Sequence, residues 1–373
     1  MTDLKMADRN DRGSPERLSP ALAASRAGDV RIGPILAIPA VLAARGVKPE
    51  HAFSRAGVDF QLFRDPDNRV SLEAVGRLLD ACAILTGCDH FGLPVGERFA
   101  LDGLGPIGEL MRHSATVGDA LRALLRHLHL HDRGAAPLLL STDKSTTILG
   151  YSVLRHGVPG TNRIHDAAIA IAIAYKILRA LCGPDFAALQ VKFSYSCPRS
   201  AAFHKRLFRC NLAFDADLSG VVMDAASLGR PPEGADTKLR NQLETAIREA
   251  GASGPMTFGE RLEAALHQLV LSGDASAEAI CRQFAISERT LRRRLAVENK
   301  GLQQFINQTR YELARQLLSN TNLSVSNIAA ALHYADPNVF SRAFRNWAGS
   351  SPRQWRERDC EVNAKTPLTT GAP

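Results

Sequence analysis

Residues 276–295 have the sequence SAEAICRQFAISERTLRRRL, and this stretch decides the fold of the C-terminal part of the chain. Its first half spaces the apolar residues like one face of a helix. Ser287 is a typical N-cap for a second helix, on which Leu291 and Leu295 lie four residues apart and share the inward face. The arginines of this second helix therefore lie on its other faces, and the pattern predicts a helix-turn-helix unit.

A similar arrangement follows further along the chain. Ser324 caps one helix, and after a short turn Asp336 caps the next. Pro337 takes the first helical position, where its missing N–H costs no hydrogen bond. A long helix with an apolar face, residues 302–318, joins the two units. We expect it to hold them in successive segments of a major groove, roughly 34 Å apart.

Arginines on a short capped helix suit the reading of a major groove, because one guanidinium can donate two hydrogen bonds to O6 and N7 of guanine. For any single arginine, a solvated helix surface explains the sequence equally well. The duplicated framework favours DNA binding for the set.

The two units resemble the DNA-binding domain of the AraC family of bacterial regulators. The residues that carry the resemblance are Ile286-Ser287-x-Arg289-Thr290-Leu291-x-Arg293-x-Leu295, Arg310-x-x-x-Ala314-x-x-Leu317-Leu318, Ser326-Asn327-Ile328-Ala329, Phe340-Ser341-Arg342-Ala343-Phe344 and Gly349-x-Ser351-Pro352-x-x-Trp355-Arg356. The chain departs from the family at two places. His333-Tyr334 replaces the usual Gly-Phe of the second turn, and Asn327 replaces a common acidic residue, which weakens a capping box.

Matched by position, the resemblance implies base contacts from three side chains of each unit. These are Arg289, Arg292, Arg293, Asn338, Ser341 and Arg342. Phosphate contacts orient a protein on DNA without reading its sequence. We expect them from Arg294, Arg345 and Arg353.

The N-terminal part mixes helical and strand patterns. Helices are predicted at 31–57, 71–86, 105–112, 117–128, 166–181 and 200–208, and strands at 137–140, 146–154, 190–196, 212–214 and 220–223. The segment 166–181 is ambiguous because its isoleucines alternate as in a strand. Asp166 at its start and Gly183-Pro184 after its end favour a helix.

The predicted architecture is an α+β N-terminal effector/dimerisation domain followed by an all-α tandem helix-turn-helix DNA-binding domain. The boundaries are a flexible tail at 1–29, the α+β domain at 30–230, a linker and connecting helix at 231–255, the DNA-binding domain at 256–358 and a second flexible tail at 359–373.

The N-terminal part resembles one subgroup of the family, the ornithine-utilisation-regulator type, whose N-terminal domain is described as arabinose-binding-like. Its motifs are Phe91-Gly92-Leu93-x-Val95-Gly96, Gly105-Pro106-Ile107-Gly108 and Ser114-Ala115-Thr116-Val117-x-x-Ala120-Leu121. The resemblance implies effector binding, dimerisation or both, but it does not imply arabinose. It assigns no effector-binding residue.

Bulk properties fit a cytoplasmic protein with a polyanionic partner. The net charge is +8, which suits DNA or an acidic membrane surface. Seven cysteines without a C-x-x-C pair argue against a disulfide framework. The apolar run from Ala167 to Tyr175 is far shorter than the roughly 20 residues of a spanning helix, and the N-terminus has no signal-peptide core.

Some histidines, cysteines and aromatic residues could form a metal site, reactive thiols or a ligand pocket. His127, His129 and His131 could share one face of a strand and bind a metal, but a polar helix end with partly exposed histidines is the preferred interpretation. Cys82 and Cys88 are interpreted as buried, inert thiols. The aromatic residues between 193 and 214 suit either a partly apolar pocket or a core, and the core is favoured. No metal and no other cofactor is expected.

The sequence therefore predicts a regulator that binds double-stranded promoter DNA, with RNA polymerase, a homodimer partner and a small-molecule effector as further partners. The resemblance favours an activator, and a repressor of the same family is the alternative. An architectural DNA-binding protein is the alternative from another class. An enzyme is not expected, because neither a Gly-x-Ser-x-Gly motif nor a cluster of thiolate ligands is present.

Overall fold

The computed structural model describes residues 29–128, 135–141, 145–153, 163–252 and 257–364. The strands are β1 Asp29–Arg31, β2 Arg69–Ser71, β3 Ala135–Ser141, β4 Thr146–Val153, β5 Gln190–Lys192, β6 Asn211–Ala213 and β7 Ser219–Asp224. The helices are α1 Ile38–Ala44, α2 Pro49–Ala56, α3 Leu72–Thr86, α4 Gly92–Glu97, α5 Pro106–Arg112, α6 Val117–His127, α7 Arg163–Cys182, α8 Ala202–Phe208, α9 Thr237–Ala252, α10 Phe258–Leu271, α11 Ala277–Phe284, α12 Glu288–Val297, α13 Leu302–Asn320, α14 Val325–Ala331, α15 Pro337–Ala348 and α16 Pro352–Ala364. This order confirms the predicted α+β part followed by a helical part.

The first core of the α+β part is formed by α1, α2 and α3 together with a two-stranded antiparallel sheet, β1-β2. The prediction of one helix over 31–57 was wrong. Gly46 has a φ of +74°, which ends α1, and Pro49 begins α2 at a position where it needs no N–H partner. The helix predicted from Ser71 is confirmed as α3, and Ser71 Oγ accepts a hydrogen bond from the N–H of Ala74 at 3.2 Å.

The second core lies on a five-stranded sheet with the order β3-β4-β7-β5-β6. The predicted hairpin is confirmed, since β3 and β4 pair antiparallel with Leu139 opposite Leu149. The strands β5 and β6 run parallel and are connected through α8. The strand predicted over 190–196 is shorter than expected, because β5 ends at Lys192.

The ambiguous segment is a helix, as predicted, and α7 is shared by both cores. Ile171 and Leu178 pack in the second core, and Ile169 packs in the first. The isoleucines that alternate in the sequence therefore face different partners around one helix rather than the two faces of a sheet.

Close backbone packing holds α4 against α7. A Cβ atom built on Gly92 would lie 2.5 Å from the carbonyl oxygen of His165, and one built on Gly96 would lie 2.4 Å from Cβ of Ala172. These two glycines are four residues apart and face α7 together. The glycines of the Phe91–Gly96 motif thus have a packing role.

The helical part has one continuous core that extends through α10–α15, with Trp355 of α16 packed against it. The connecting helix α9 packs on the α+β part, where Leu243 and Ile247 meet Leu110 and Ala123. The predicted tail at 1–29 lies almost wholly outside the described residues. The second predicted tail begins within α16, which continues to Ala364.

The hairpin β3-β4 connects the two parts. Leu138, which is 1% exposed, and Leu218 belong to the core of the helical part. The backbone N–H of Asn322 also donates to the carbonyl oxygen of Asp217 at 2.9 Å. Within the described ranges, no helix has the length and apolar character needed to cross a bilayer.

Candidate nucleic-acid interface

The first unit consists of α11, a turn and α12. Ser276 caps α11, and Ser287 caps α12 by accepting a hydrogen bond from the N–H of Thr290 at 3.2 Å. Ala285 in the turn has φ 49° and ψ 46°, the left-handed conformation. Leu291 and Leu295 are buried, so α12 is fixed to the core by the two leucines that the sequence assigned to its inward face.

Three of the four arginines on α12 are exposed, namely Arg289, Arg292 and Arg293. Arg292 forms an ion pair at 3.0 Å with Glu288, one helical turn earlier. Such a surface pair is weak, because solvent screens it. Arg294 differs from the others. It is partly buried, and its guanidinium carbon lies 5.1 Å from the ring centroid of Phe258.

The second unit consists of α14, a turn and α15. Ser324 accepts a hydrogen bond from the N–H of Asn327 at 3.1 Å, so the N-cap forms although Asn327 is not acidic. Asp336 accepts from the N–H of Asn338 at 2.6 Å, with Pro337 in the first position of α15 as predicted. Phe340 and Phe344 are fully buried and fix α15 to the core.

The opposite side of α15 is exposed and carries Asn338, Arg342 and Arg345, together with the exposed apolar side chain of Val339. Ser341 is partly exposed, and its hydroxyl donates to the carbonyl oxygen of Pro337 at 2.9 Å. Its oxygen keeps lone pairs for a further donor. Arg353 lies on α16, exposed, with Glu357 at 3.1 Å. The second helix of each unit, α12 or α15, thus has the position of a recognition helix in a helix-turn-helix unit, is capped at its N-terminus and exposes arginines.

Other arginines of the motif fix the framework. Arg356 donates to the carbonyl oxygens of Leu318 and Leu323, at 3.2 Å and 2.7 Å, and thereby ties α16 to the end of α13. The guanidinium of Arg310 lies 5.0 Å from the ring centroid of Tyr334 in the second turn. Arg310 and Arg356 both belong to the residues that carry the family resemblance. The sequence alone does not distinguish such framework arginines from arginines proposed to contact DNA.

His333 connects the second turn to the end of α10. It has φ 57°, so the second turn adopts the left-handed conformation, which glycine takes up at no steric cost. Its Nε2 lies 3.1 Å from the carbonyl oxygen of Leu271, at the end of α10. A Cβ atom on Gly273 would meet the imidazole at 2.7 Å. The imidazole thus fills a space that a glycine at position 333 would leave open.

Three residues that the sequence offered for other kinds of site, Cys82, Cys88 and His127, are buried. Cys82 and Cys88 are buried, and burial raises the pKa of the Cys82 thiol to about 12. His127 lies at the end of α6 but is buried, so the expectation of a partly exposed histidine was wrong there. His129 and His131 lie outside the described residues. No cluster of metal-ligating side chains occurs in the described ranges. Phe193 and Phe208 are fully buried core residues.

Open space in the α+β part lies instead where its two cores meet. A cavity of about 140 Å³ is bordered there by α3, α6, α7, β3 and β4. Its walls include Val30, Ile35 and Leu79 from the first core and Leu124, Leu149 and Ile177 from the second. No aromatic residue of the 193–214 region lines it. No pattern in the sequence predicts this cavity, because the residues of its walls resemble any other core residues.

Two family models cover most of the chain. One, described as the arabinose-binding domain of AraC transcription regulators, matches residues 46–232, and the other, a helix-turn-helix domain, matches residues 280–358. The chain belongs to the AraC family.

This AraC-family protein is similar in sequence to three named transcriptional regulators. It is 30% identical over 295 residues to the HTH-type transcriptional regulator VirS of Mycobacterium tuberculosis, which covers 78% of this chain and 85% of VirS. It is 26% identical over 320 residues to the ornithine utilization regulator of Pseudomonas aeruginosa, covering 85% and 93%. The transcriptional activator RhaS of Escherichia fergusonii is 39% identical over 130 residues, covering 32% and 45%. This AraC-family protein is a DNA-binding transcriptional regulator.

Proposed function

We propose that this regulator is an effector-responsive activator that binds an asymmetric promoter site through both recognition helices. Base contacts come from Arg289, Arg292 and Arg293 in the first unit, and from Asn338, Ser341 and Arg342 in the second. Phosphate contacts come from Arg294, Arg345 and Arg353. The observation that carries the proposal is the pair of capped helices that expose arginines and pack on one continuous core.

The shared core supports simultaneous binding. A recognition helix loses affinity if it must be ordered or moved before it binds. Here α13 packs in the same core as the leucines of α12 and the phenylalanines of α15. Both helices are thus oriented before DNA arrives. Of the proposed phosphate contacts, Arg294 must leave the ring of Phe258 or reach DNA from beside it.

The experiment is a comparison of Arg293→Ala with wild type on a DNA site selected from a random pool. We expect a loss of about 1–3 kcal/mol on the selected site and relaxed preference at one base pair. Arg345→Ala should weaken binding to all sequences alike and lower the salt dependence. Arg282→Ala is the matched control, because Arg282 is exposed on the first helix of the same unit and pairs with Glu278. Uniform weakening by Arg293→Ala would make Arg293 a phosphate contact instead.

Activation is proposed because RhaS carries the word activator in its name. Contact with RNA polymerase and assembly as a homodimer on repeated half-sites are part of the same proposal, as is a cytoplasmic location without enzymatic activity. A reporter gene behind the selected site separates the alternatives. Higher expression with the regulator supports activation, and lower expression supports a repressor.

An architectural role makes a different prediction for competition. An architectural protein uses basic residues with little base reading, so random DNA would displace it as readily as its own site. We expect the selected site to compete at least a hundredfold better than random DNA, since specific binding commonly exceeds non-specific binding by about 10³ or more.

A further inference from the structure

The cavity between the two cores of the α+β part has walls of one chemical kind. Apart from Tyr151, the side chains of the described residues around it are those of valine, leucine, isoleucine, alanine and proline. Among the described residues that line it, Tyr151 alone has a polar atom in its side chain. Polar groups buried without a hydrogen-bond partner are costly, so these walls select against a ligand that carries many of them.

The apolar side chains that line this space on α7 are partly exposed, which distinguishes the space from an ordinary packing defect. Ala170, Ile173 and Ala174 lie on one side of α7 and are partly exposed, although Ile171, Ala172 and Leu178 of the same helix are fully buried. Apolar side chains half-way along a central helix thus border open space. Interiors are normally packed as densely as organic crystals, so a gap of this size calls for an occupant.

The volume limits the occupant to a small group. The cavity measures about 140 Å³. A dry apolar cavity of roughly 150 Å³ in another protein takes up benzene. A buried hydrocarbon of about six to eight carbon atoms therefore fits the space.

We propose that this cavity is the effector site and that its ligand is a small molecule whose buried part is a hydrocarbon chain or ring. The inference rests on the effector control proposed above and deepens it by naming the ligand class. A pentose such as arabinose carries a hydroxyl on nearly every carbon, and the walls offer those hydroxyls almost no partners. The sugar in the description of the matching domain therefore does not fit this chain.

The strand β3 borders the cavity and also packs against the helical part of the protein. Pro137 of β3 lines the cavity, while the next residue, Leu138, packs in the core of the helical part. Leu139 packs again in the α+β part, and Leu140 packs against the helical part. Neighbouring residues of a strand point to opposite faces, so one short strand forms a wall of the cavity and a contact surface for the DNA-binding domain.

The experiment titrates the full-length protein, without DNA, with n-alkanols from butanol to dodecanol and with L-arabinose, by calorimetry. Affinity should rise about fourfold with each added methylene. It should level off beyond about eight carbons, when the cavity is full. Arabinose should not bind at the same concentrations. Binding of arabinose with no binding of alkanols would overturn the proposal.

Two variants on α7 locate the binding. Ala174→Phe fills the cavity from its wall and should reduce octanol affinity at least tenfold. Ala180→Phe is the matched control, since Ala180 is exposed on the same helix and does not line the cavity. Ala170→Leu, a smaller addition from the same wall, serves if the phenylalanine prevents folding. Equal octanol affinity in wild type and in a folded cavity variant would place binding elsewhere and refute the site. Because DNA is absent, this outcome is independent of whether the regulator activates.

Discussion

At the scale of single residues, the turn of the first unit contains strain that glycine would remove. Ala285 is exposed and left-handed, a conformation that costs an L-residue about 1–2 kcal/mol. Ala285→Gly should therefore raise the free energy of unfolding by about 0.5–1 kcal/mol after the entropy of glycine is subtracted. Ala296→Gly, an exposed site inside α12, should lower it by about 1 kcal/mol. The measurement is the thermal unfolding midpoint of each full-length variant. If both substitutions shifted the midpoint in the same direction, this account would be contradicted.

Two buried imidazoles should make stability depend on pH. His165 is 1% exposed and His204 is fully buried, and burial lowers the pKa of each to about 4. Asp89 opposes the shift at His165, while His90 adds to it at both. The unfolded chain thus takes up protons first as the pH falls. Stability is complete above pH 6.5 and declines toward pH 4, by on the order of 3 kcal/mol for each imidazole.

Urea denaturation at pH 7.5 and pH 5 measures this decline. In His165→Gln, the difference between the two pH values should shrink, because the group that titrates is gone. His51→Gln is the control, since His51 is exposed on α2. If His165→Gln left the pH dependence of the unfolding free energy unchanged, other groups would cause the decline in stability.

Residue-level prediction from sequence succeeded where local chemistry decides the outcome. Ser71, Ser287, Ser324 and Asp336 all cap helices as their side chains suggest. It could not separate arginines that face solvent from Arg356, whose hydrogen bonds go to carbonyls distant in sequence. That distinction depends on the packing of α16 against α13, which no local pattern reports.

At the scale of elements, the close contact of α4 with α7 restricts substitution of the glycines between them. The Cβ of an alanine at position 96 would lie 2.9 Å from the carbonyl oxygen of Ile169 and closer still to Ala172. We expect Gly96→Ala to lower the free energy of unfolding by about 1–3 kcal/mol, despite the better helix propensity of alanine. Gly229→Ala is the control, because nothing lies within 4 Å of its added Cβ. Equal unfolding midpoints for the two variants would mean that the helices move apart at little cost.

Elements were predicted well where one periodicity dominates and poorly where several short elements share a pattern. The apolar stripe of 31–57 continues through a strand, a short 3₁₀ helix, α1 and α2, because all of them face one core. The break between α1 and α2 is set by the backbone at Gly46 rather than by hydropathy. The cavity escaped sequence analysis for a related reason, since apolar periodicity reports burial and does not distinguish a filled space from an open one.

At the scale of the whole molecule, the two parts should respond together through the hairpin. Leu138→Ala removes apolar contact between β3 and the helical part. We expect faster amide hydrogen exchange in α14 and a smaller change in DNA affinity when octanol is added. Leu139→Ala is the matched control one residue along, because Leu139 packs in the α+β part. If amide hydrogen exchange in α14 were equal in the two variants, the hairpin would not couple the α+β part to the helical part.

The alternation along β3 also restricts how the gene can change in length. Insertion of a single codon within the strand would turn every following side chain to the opposite face. Leucines that pack against the DNA-binding domain would then line the ligand space, and the proline and leucine on the ligand side would turn toward the DNA-binding domain. Substitutions in β3 can be compensated one at a time, but such a frame-preserving insertion alters both surfaces at once. Among descendants of this chain, we therefore expect β3 to tolerate exchanges of apolar residues and to keep its length.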